Sequence, residues 1–394
     1  MKSPVTTTRG LRRAGIASVF ALASLTLAAC ASDTDAGAEA PSETAEATTS
    51  AESTASAESS LADVMKAQDA YEIPSEPIDA SSLAGTTVYY IPVTAQAPQF
   101  AAMGVEVTAA LGTVGIDVQV CDGQGNPSAI AKCFTQAVNA DADAILADAI
   151  AYGFAMNSVE EARSAGVPVI IGNQVADPSI TLDDTLGWIE GPSSGMTADM
   201  LTWAAEDSGG EAHILINMST DGTTPKAYVD TATEALAESC PACVVTINGV
   251  TTASFDLVAS STSAALLKDP SIDYVFPQFE QFLQVTAGGV QSAGRDDVTL
   301  MTGSAQIGAL QELETGGQLR AVQGVASFYQ AWVYSDAAMR MALGMELPEY
   351  TIPYRIFTAD TMDDVQVTEE AQASGEWYGP TTFKDDFKAL WGAQ

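Results

Sequence analysis

Two patterns of apolar positions alternate along the chain from about residue 83 onward. Short runs that are apolar at nearly every position, and rich in β-branched and aromatic residues, are typical of strands buried on both faces of a parallel sheet. The predicted strands are Thr87–Val93, Gly115–Cys121, Ala144–Ala147, Val167–Ile171, His213–Ile216, Val244–Ile247, Tyr274–Phe276 and Val298–Met301.

Amphipathic stretches separate these strands. Apolar side chains recur in them three and four residues apart, which indicates helices with one buried face. The predicted helices lie at 100–114, 130–138, 158–164, 226–238, 255–267 and 282–293. Because strands and helices alternate in two similar sets, we predict an α/β fold of two lobes, each an open parallel sheet with helices on both faces. A ligand would bind between the lobes, at the carboxyl ends of the strands.

The amino-terminal end has a different pattern. Three arginines precede an almost uninterrupted small and apolar run, residues 14–29, which is too short to span a bilayer comfortably. The run ends in Leu-Ala-Ala followed by Cys30, which resembles the lipobox of bacterial lipoproteins. In that family the cysteine is acylated and the chain is cut just before it, and two or more acyl chains hold a protein firmly on a membrane. The alternatives are an ordinary cleaved signal peptide and an uncleaved anchor.

The segment after Cys30 is almost entirely Ala, Ser, Thr, Glu and Asp, with one proline and no aromatic residue up to residue 62. Such a segment buries too little apolar area to offset its ordering entropy. We therefore predict a lipoprotein signal peptide at 1–29, and a lipidated cysteine with a disordered acidic tether at 30–62. The protein would then be lipid-anchored on the extracytoplasmic face of the cell membrane.

Composition excludes several function classes. The 394 residues include 15 Lys and Arg against 51 Asp and Glu. No basic cluster follows residue 13, so the sequence offers nothing to neutralise the phosphates of a nucleic acid. It contains one histidine, no Gly-x-Ser-x-Gly motif and no P-loop, and we therefore expect no enzyme, no cofactor and no metal site. The acidic balance keeps an exported protein soluble, and we expect a monomer.

Beyond Cys30 the chain has four cysteines, which suits an oxidising compartment. Cys240-Pro-Ala-Cys243 follows a predicted helix and precedes a strand, whereas a redox Cys-x-x-Cys begins a helix whose dipole lowers the thiol pKa. A structural loop disulfide is the favoured interpretation, with a redox pair as the alternative. Cys121 at a strand end and Cys133 in the next helix form the other sensible pair. Zinc is disfavoured because the two pairs lie in different predicted lobes.

Five segments carry a family resemblance: Tyr90–Val93, Asp117–Pro127, Asp143–Leu146, Ala165–Ile170 and Ile272–Phe276. Together they resemble the ribose/galactose-type (type I) periplasmic binding proteins, the substrate-binding components of ABC importers. The resemblance runs in order over roughly residues 83 to 347. LacI-type repressors share this fold, but they carry a helix-turn-helix where this chain has its lipobox-like end.

The resemblance implies two Rossmann-like lobes joined by three hinge crossings, near Asp183–Glu190, Ala321–Ala326 and Leu347–Pro353. The implied amino-terminal lobe is 83–186 plus 326–348. The implied carboxyl-terminal lobe is 187–325 plus 349–394.

The resemblance also implies a set of ligand contacts. They are Gln99, Phe100, Asp148, Tyr152, Asn173, Gln174, Ser219, Asp221, Lys226, Phe279, Glu280 and Ser304. Phe100 stands where the family often stacks an aromatic ring on a sugar face. Asn173 and Gln174 replace the family's Asp-Arg pair, and Phe279 replaces an amide. The alternatives are structural: either phenylalanine in the core, Asp148 as a strand-end cap and Lys226 as a helix cap.

These replacements bear on the ligand. Arginine binds hydroxyl and anionic groups through its bidentate fork, and it is missing here. Lys226 would be the only obvious cation, which disfavours a carboxylate or phosphate ligand. We expect a sugar or sugar-like polyol, with an aromatic or less polar molecule as the alternative. The predicted function is a lipid-anchored solute-binding protein that delivers this molecule to an ABC permease. A receptor feeding a sensor kinase and an exported hydrolase are the alternatives.

Replacing Cys30 with alanine should move the protein from the membrane fraction to the soluble fraction. The acylated thiol would be the only strong hydrophobic attachment once the signal peptide is removed. Detergent partitioning of the two proteins measures this, with Ser32→Ala as a control that leaves the lipobox-like segment intact. Equal partitioning of Cys30→Ala and the unchanged protein would contradict the lipoprotein prediction.

Overall fold

The computed structural model describes residues 60–393. The predicted signal peptide, Cys30 and nearly all of the predicted tether lie outside the described residues. Leu61–Val64 is a short α-helix whose Val64 is buried, so the tether predicted to reach residue 62 ends before Leu61. No helix within 60–393 is long and apolar enough to cross a membrane.

Strands and helices alternate through most of the described chain, as predicted. The strands are β1 Thr87–Pro92, β2 Asp117–Val120, β3 Ala144–Asp148, β4 Val169–Gly172, β5 Leu186–Ile189, β6 His213–Ser219, β7 Val244–Val250, β8 Tyr274–Pro277, β9 Thr299–Thr302, β10 Leu319–Val325 and β11 Tyr354–Thr358. The α-helices are α1 Leu61–Val64, α2 Pro98–Gly112, α3 Pro127–Asn139, α4 Tyr152–Ser164, α5 Ser193–Asp207, α6 Thr224–Ser239, α7 Val258–Lys268, α8 Leu283–Ser292, α9 Ile307–Glu314, α10 Ser327–Ala342, α11 Glu369–Ser374 and α12 Phe383–Leu390.

The amino-terminal lobe is a parallel sheet in the order β2-β1-β3-β4-β5. Its central strand β3 is buried at every position, which accounts for its continuous apolar sequence. Strand β5 was not predicted. It pairs with β4 from Val169 beside Leu186 to Gly172 beside Ile189. The lobe therefore extends to Ile189, and the boundary predicted after residue 186 falls three residues too early.

The carboxyl-terminal lobe is a six-stranded sheet in the order β11-β10-β9-β8-β6-β7, with β11 antiparallel to β10. Alternate residues of β6 pack on opposite faces. Ile214 and Ile216 join the core with residues of α5 and α6, whereas Leu215 joins the core with residues of α7 and α8. The two parallel-sheet lobes confirm the predicted fold class.

The sequence pattern did not predict several elements, and each omission has a physical reason. Helix α10 is buried at every residue from Tyr329 to Met341, so it has no polar face and no amphipathic period. Polar residues interrupt the unpredicted strands: Arg320 and Gln323 in β10, and Arg355 in β11. The helix predicted from residue 255 begins at Val258, because Thr252–Leu257 is a 3₁₀ helix.

The chain passes between the lobes at three places that correspond to the implied hinge crossings. They are residues 190–192 between β5 and α5, Ala326 between β10 and α10, and 343–353 between α10 and β11. Helix α10 packs on the amino-terminal lobe, against α2, β3 and β4.

Both ends of the described chain also contact both lobes. Helix α1 packs on α5 and β11 of the carboxyl-terminal lobe, and farther along Ile78 N–H donates to the Leu390 carbonyl at 3.0 Å. Helix α12 and Trp391 pack on α10, with the Trp391 ring stacked 5.1 Å from the Trp332 ring. The carboxyl-terminal lobe predicted to include 349–394 thus loses 383–391 to the other lobe, because Phe383, Phe387 and Trp391 form an apolar face that α10 buries.

A buried carboxylate joins these terminal segments to α10. Asp336 accepts from Arg340 Nε at 2.7 Å, from Tyr350 Oη at 2.6 Å and from Trp391 Nε1 at 2.8 Å. The Arg340 guanidinium also donates to the Glu76 carbonyl at 2.7 Å. The side chains of Asp336 and Arg340 are 0% and 1% exposed, so this ion pair lies fully inside the protein.

Both predicted disulfides are present. Cys121 and Cys133 join the end of β2 to α3, and Cys240 and Cys243 close the turn between α6 and β7. The second pair follows a helix and does not begin one, as a structural loop disulfide requires.

Replacing Arg340 with methionine should lower the free energy of unfolding by about 3–5 kcal/mol, because it leaves the buried Asp336 charge without its cation. Urea unfolding of the two proteins measures the difference. Lys388→Met is the matched control, since Lys388 pairs with Asp385 at an exposed position, and its effect should stay within about 0.5 kcal/mol. An equally small effect of both substitutions would contradict this account of the buried pair.

Candidate functional site

The carboxyl ends of the two sheets meet at the interface between the lobes, which we call the cleft. Gln174, which follows β4, accepts a hydrogen bond from the Thr224 hydroxyl at the start of α6 at 2.5 Å. The Tyr228 hydroxyl of α6 donates to the Asn173 carbonyl at 3.2 Å. These contacts place the two predicted residues Asn173 and Gln174 at the lobe interface, where the sequence analysis expected a ligand.

A buried carboxylate organises the amino-terminal wall of this cleft. Asp148 is the last residue of β3 and is 0% exposed. It accepts hydrogen bonds from Tyr90 Oη at 2.7 Å, Asn173 Nδ2 at 2.8 Å and Tyr334 Oη at 3.1 Å. These donors come from β1, from the loop after β4 and from α10. We call Tyr90, Asp148, Asn173, Gln330 and Tyr334 the Asp148 cluster.

Burial raises the pKa of Asp148 above its ordinary value, because the ionised carboxylate is removed from water. Hydrogen bonds from Tyr90, Asn173 and Tyr334 act in the opposite direction without cancelling this effect. Burial beside Asp148 also raises the pKa of Tyr90 and of Tyr334 well above the usual tyrosine range. The two hydroxyls therefore remain protonated and serve as donors to the carboxylate.

Asn173 uses both ends of its amide within the protein. Its nitrogen donates to Asp148, and its oxygen accepts from Gln330 Nε2 of α10 at 2.8 Å. Gly191 in the first crossing makes room for this oxygen, since a Cβ at that position would lie 2.3 Å from it. Asn173 thus joins β3 to α10, lies close to the first crossing and presents its backbone carbonyl to Tyr228.

Three residues that immediately follow strands at this edge have left-handed backbones. Ala149 after β3, Asn173 after β4 and Ser304, two residues after β9, have φ angles of 56°, 54° and 62°. Side chains with a Cβ adopt this region at an energetic cost, and such strain concentrates at functional sites. Two of the three, Asn173 and Ser304, are predicted ligand contacts.

The other predicted contacts of the amino-terminal lobe form fewer hydrogen bonds with the Asp148 cluster than Asp148 and Asn173 do. Gln99 and Phe100 are half-buried in the first turn of α2, and Tyr90 Oη lies 3.4 Å from the Phe100 carbonyl. Tyr152 donates to Glu160 of its own helix at 2.7 Å and packs against the Trp188 ring. The structure therefore brings Phe100 to the Asp148 cluster and directs the Tyr152 hydroxyl along α4.

An unpredicted glutamine positions the opposite wall. Gln278 accepts from the Ser219 N–H at 3.0 Å and donates to the Pro225 carbonyl at 2.8 Å. It thereby holds the 219–225 loop that carries Thr224 to the amino-terminal lobe. Within this loop Asp221 accepts from the Thr251 hydroxyl and from the Thr252 N–H, so its carboxylate ties the ends of β6 and β7 together.

The remaining predicted contacts differ in their surroundings. Lys226 has a 61% exposed side chain and pairs with Asp230 one turn along α6. Phe279 packs against a small apolar cluster that contains Phe282, which matches the core alternative. Glu280 is half-buried, and burial raises its pKa above the ordinary value. Lys226 thus lies on the helix surface, whereas Phe279 and Glu280 follow β8 at the cleft edge.

Five residues that shape the site are not among the predicted contacts: Tyr90, Tyr228, Gln278, Gln330 and Tyr334. Gln278 had a usable signal, since it directly precedes the predicted contacts Phe279 and Glu280. Gln330 and Tyr334 had none, because they belong to the fully buried helix α10.

No protein-family model and no curated protein matches the sequence. Solved structures do match. A 5-methylthioribose transporter solute binding protein from Thermotoga lettingae aligns with a TM-score of 0.65 at 17% identity, over 78% of this chain and 99% of that chain. A Mycobacterium smegmatis protein in complex with β-D-fucofuranose gives 0.63 at 18% identity, over 74% and 98%. A Caulobacter myo-inositol binding protein gives 0.63 at 17% identity, over 71% and 96%. The fold is that of the type I periplasmic binding proteins.

Replacing Asp148 with asparagine should cost more stability near pH 4 than near pH 7. The pKa of Asp148 is higher in the folded protein than in the unfolded chain, so protonation of Asp148 stabilises the folded protein. This stabilisation is complete below the ordinary pKa of 3.8 and is lost as the pH rises through the folded pKa. The asparagine variant lacks this dependence. Urea unfolding from pH 4 to 8 measures the difference between the two proteins.

Tyr334→Phe provides the control for this prediction. It removes one donor from the carboxylate, so the pKa of Asp148 should rise further and the pH-dependent interval should extend upward. A difference between Asp148→Asn and the unchanged protein that stays constant across this pH range would show that Asp148 does not titrate in the folded protein.

Proposed function

We propose that this chain is a lipid-anchored extracytoplasmic solute-binding protein that captures a neutral polyhydroxylated small molecule and delivers it to an ABC import permease. The observation that carries the proposal is the interface between two parallel-sheet lobes, where amides and hydroxyls of both lobes meet beside three chain crossings. The lipid anchor rests on the lipobox-like segment that ends in Cys30.

The chemistry of the cleft supports a neutral ligand. Gln174, Thr224 and Tyr228 bring an amide and two hydroxyls to the lobe interface, and these groups can donate to and accept from sugar or polyol hydroxyls. Lys226, the one predicted cation contact, is paired with Asp230 on the helix surface. Glu280 and the buried Asp148 would repel an anion. A sugar or polyol fits these groups better than a carboxylate or phosphate.

The cross-cleft hydrogen bonds supply a closing mechanism. Gln174 with Thr224, and Asn173 with Tyr228, join the lobes in this structure, and rotation about the crossings would separate them. A ligand that contacts both walls binds the closed form better than the open form, so it shifts the equilibrium toward closure. A permease that recognises the closed form would then receive only loaded protein.

Removing one cross-cleft hydrogen bond should weaken ligand binding. A thermal-shift screen of pentoses, hexoses, polyols and aromatic acids would first identify a ligand of the full chain. Tyr228→Phe and Thr224→Val should then raise its Kd about 2- to 10-fold each by calorimetry, because each hydrogen bond contributes about 0.5–1.5 kcal/mol to the closed form. Thr231→Val, on the exposed face of α6, is the matched control and should leave Kd unchanged.

Two results would contradict the proposal. Binding of anionic compounds alone would exclude a neutral ligand, and the absence of binding across the whole screen would exclude solute capture of this class. Unchanged Kd values in both variants would mean that the cross-cleft contacts do not take part in closure.

A further inference from the structure

Gln323 has a buried side-chain amide whose carbonyl oxygen has no hydrogen-bond partner among residues 60–393. The residue lies in β10 and is 1% exposed. Its Oε1 accepts no hydrogen bond from any residue between 60 and 393. Buried polar side chains are nearly always paired, because an unpaired acceptor keeps the full penalty of leaving water. The Gln323 oxygen is therefore a buried acceptor that no described residue satisfies.

The position of Gln323 points to the cleft. It lies three residues before Ala326, where the chain crosses to the amino-terminal lobe. Val322 is in register with Thr302, which places Gln323 beside Gly303 of the neighbouring strand end. Its main-chain carbonyl accepts from the Ala305 N–H at 2.9 Å, so it also holds the loop that contains Ser304.

Gly303 creates the space into which the Gln323 amide extends. A Cβ at residue 303 would lie 3.2 Å from Gln323 Nε2 and 2.3 Å from the Gln278 carbonyl oxygen. Any side chain there would clash with the Gln278 backbone. The missing side chain thus lets the Gln323 amide, the Gln278 carbonyl and the Ser304 loop converge at one point.

This point belongs to the carboxyl-terminal wall of the cleft. The Gln278 side chain holds the 219–225 loop, and Thr224 of that loop reaches Gln174 of the other lobe. Gln323 thus lies beside Gly303, which adjoins Gln278, and Gln278 holds the loop that makes the cross-cleft contact.

We propose that Gln323 is a ligand-binding residue, and that its Oε1 accepts a hydrogen bond from a hydroxyl or N–H of the bound solute. The assignment rests on the proposed function and specifies one feature of the solute. A carbonyl oxygen cannot pair with another acceptor, so the solute presents a donor at this point. An analogue that lacks this donor is rejected, because it leaves the buried oxygen unpaired in the complex.

The assignment has a thermodynamic signature that a structural role lacks. An acceptor that is unpaired without ligand destabilises the ligand-free protein and is satisfied only on binding. Replacing it with an apolar side chain of similar shape should then raise stability and lower affinity together. A glutamine that supports the fold would show the opposite: lower stability and unchanged affinity.

Gln323→Met tests this signature in the full-length protein. We expect a higher melting temperature without ligand, and an affinity about 10- to 100-fold lower for the sugar or polyol that binds the unchanged protein. Gln318→Met is the matched control. Gln318 directly precedes the same strand, and its amide donates to the Arg295 and Val298 carbonyls at 3.1 and 3.0 Å. That variant should melt at a lower temperature and bind normally.

Monodeoxy analogues of the same solute supply a second measurement that does not depend on the stability of the variant. One analogue should bind the unchanged protein at least tenfold more weakly than the parent solute, and Gln323→Met should no longer distinguish the two. Unchanged affinity together with a lower melting temperature of Gln323→Met would overturn the assignment and leave the proposed function intact. Failure of the unchanged protein to bind any sugar or polyol would refute the proposed function, and the assignment with it.

Discussion

The burial of one carboxylate constrains much of the architecture around the cleft. Asp148 ends the central strand of the amino-terminal sheet with no contact with water, and an ion in that position is tolerated only with donors around it. Tyr90, Asn173 and Tyr334 supply them from a strand, a loop and a helix. Tyr334 lies on α10, which links two of the crossings. Its hydrogen bond to Asp148 therefore also fixes this helix against the sheet.

A second buried carboxylate has the corresponding role for the chain ends. Asp336 lies on the same helix as Tyr334 and gathers Arg340, Tyr350 and Trp391, while Arg340 reaches the Glu76 carbonyl. Helix α10 is therefore held to the sheet, to the third crossing and to both terminal segments. Its complete burial follows from this central position. The segments that begin and end the described chain pass from one lobe to the other beside it, so they act with the three crossings in joining the lobes.

The polar groups of the cleft divide into two kinds. The side chains of Asp148, Asn173 and Gln278 form hydrogen bonds with other protein groups, so they hold the two walls of the cleft in place. Gln323 has an acceptor that no described residue satisfies. Groups of the first kind hold the walls in place, and the group of the second kind is the one we propose to bind the solute. Asp148 and Asn173, which are predicted ligand contacts, thus have their side-chain groups hydrogen-bonded to other protein groups.

The sequence by itself determined the strands and helices whose apolar period is clear, the order of two α/β sets and the pairing of four cysteines. These features depend on residues that are close in the chain, such as Asn126, whose side chain caps α3 directly before Pro127. Only the tertiary structure decided the partners of Asp148, since Tyr334 lies 186 residues away on a helix that has no amphipathic signal. The same holds for Gln323. The sequence did not predict strand β10, and only the packing of three strand ends around Gly303 leaves the Gln323 oxygen without a partner among the described residues. Hydrogen-bond satisfaction depends on which distant groups come within reach.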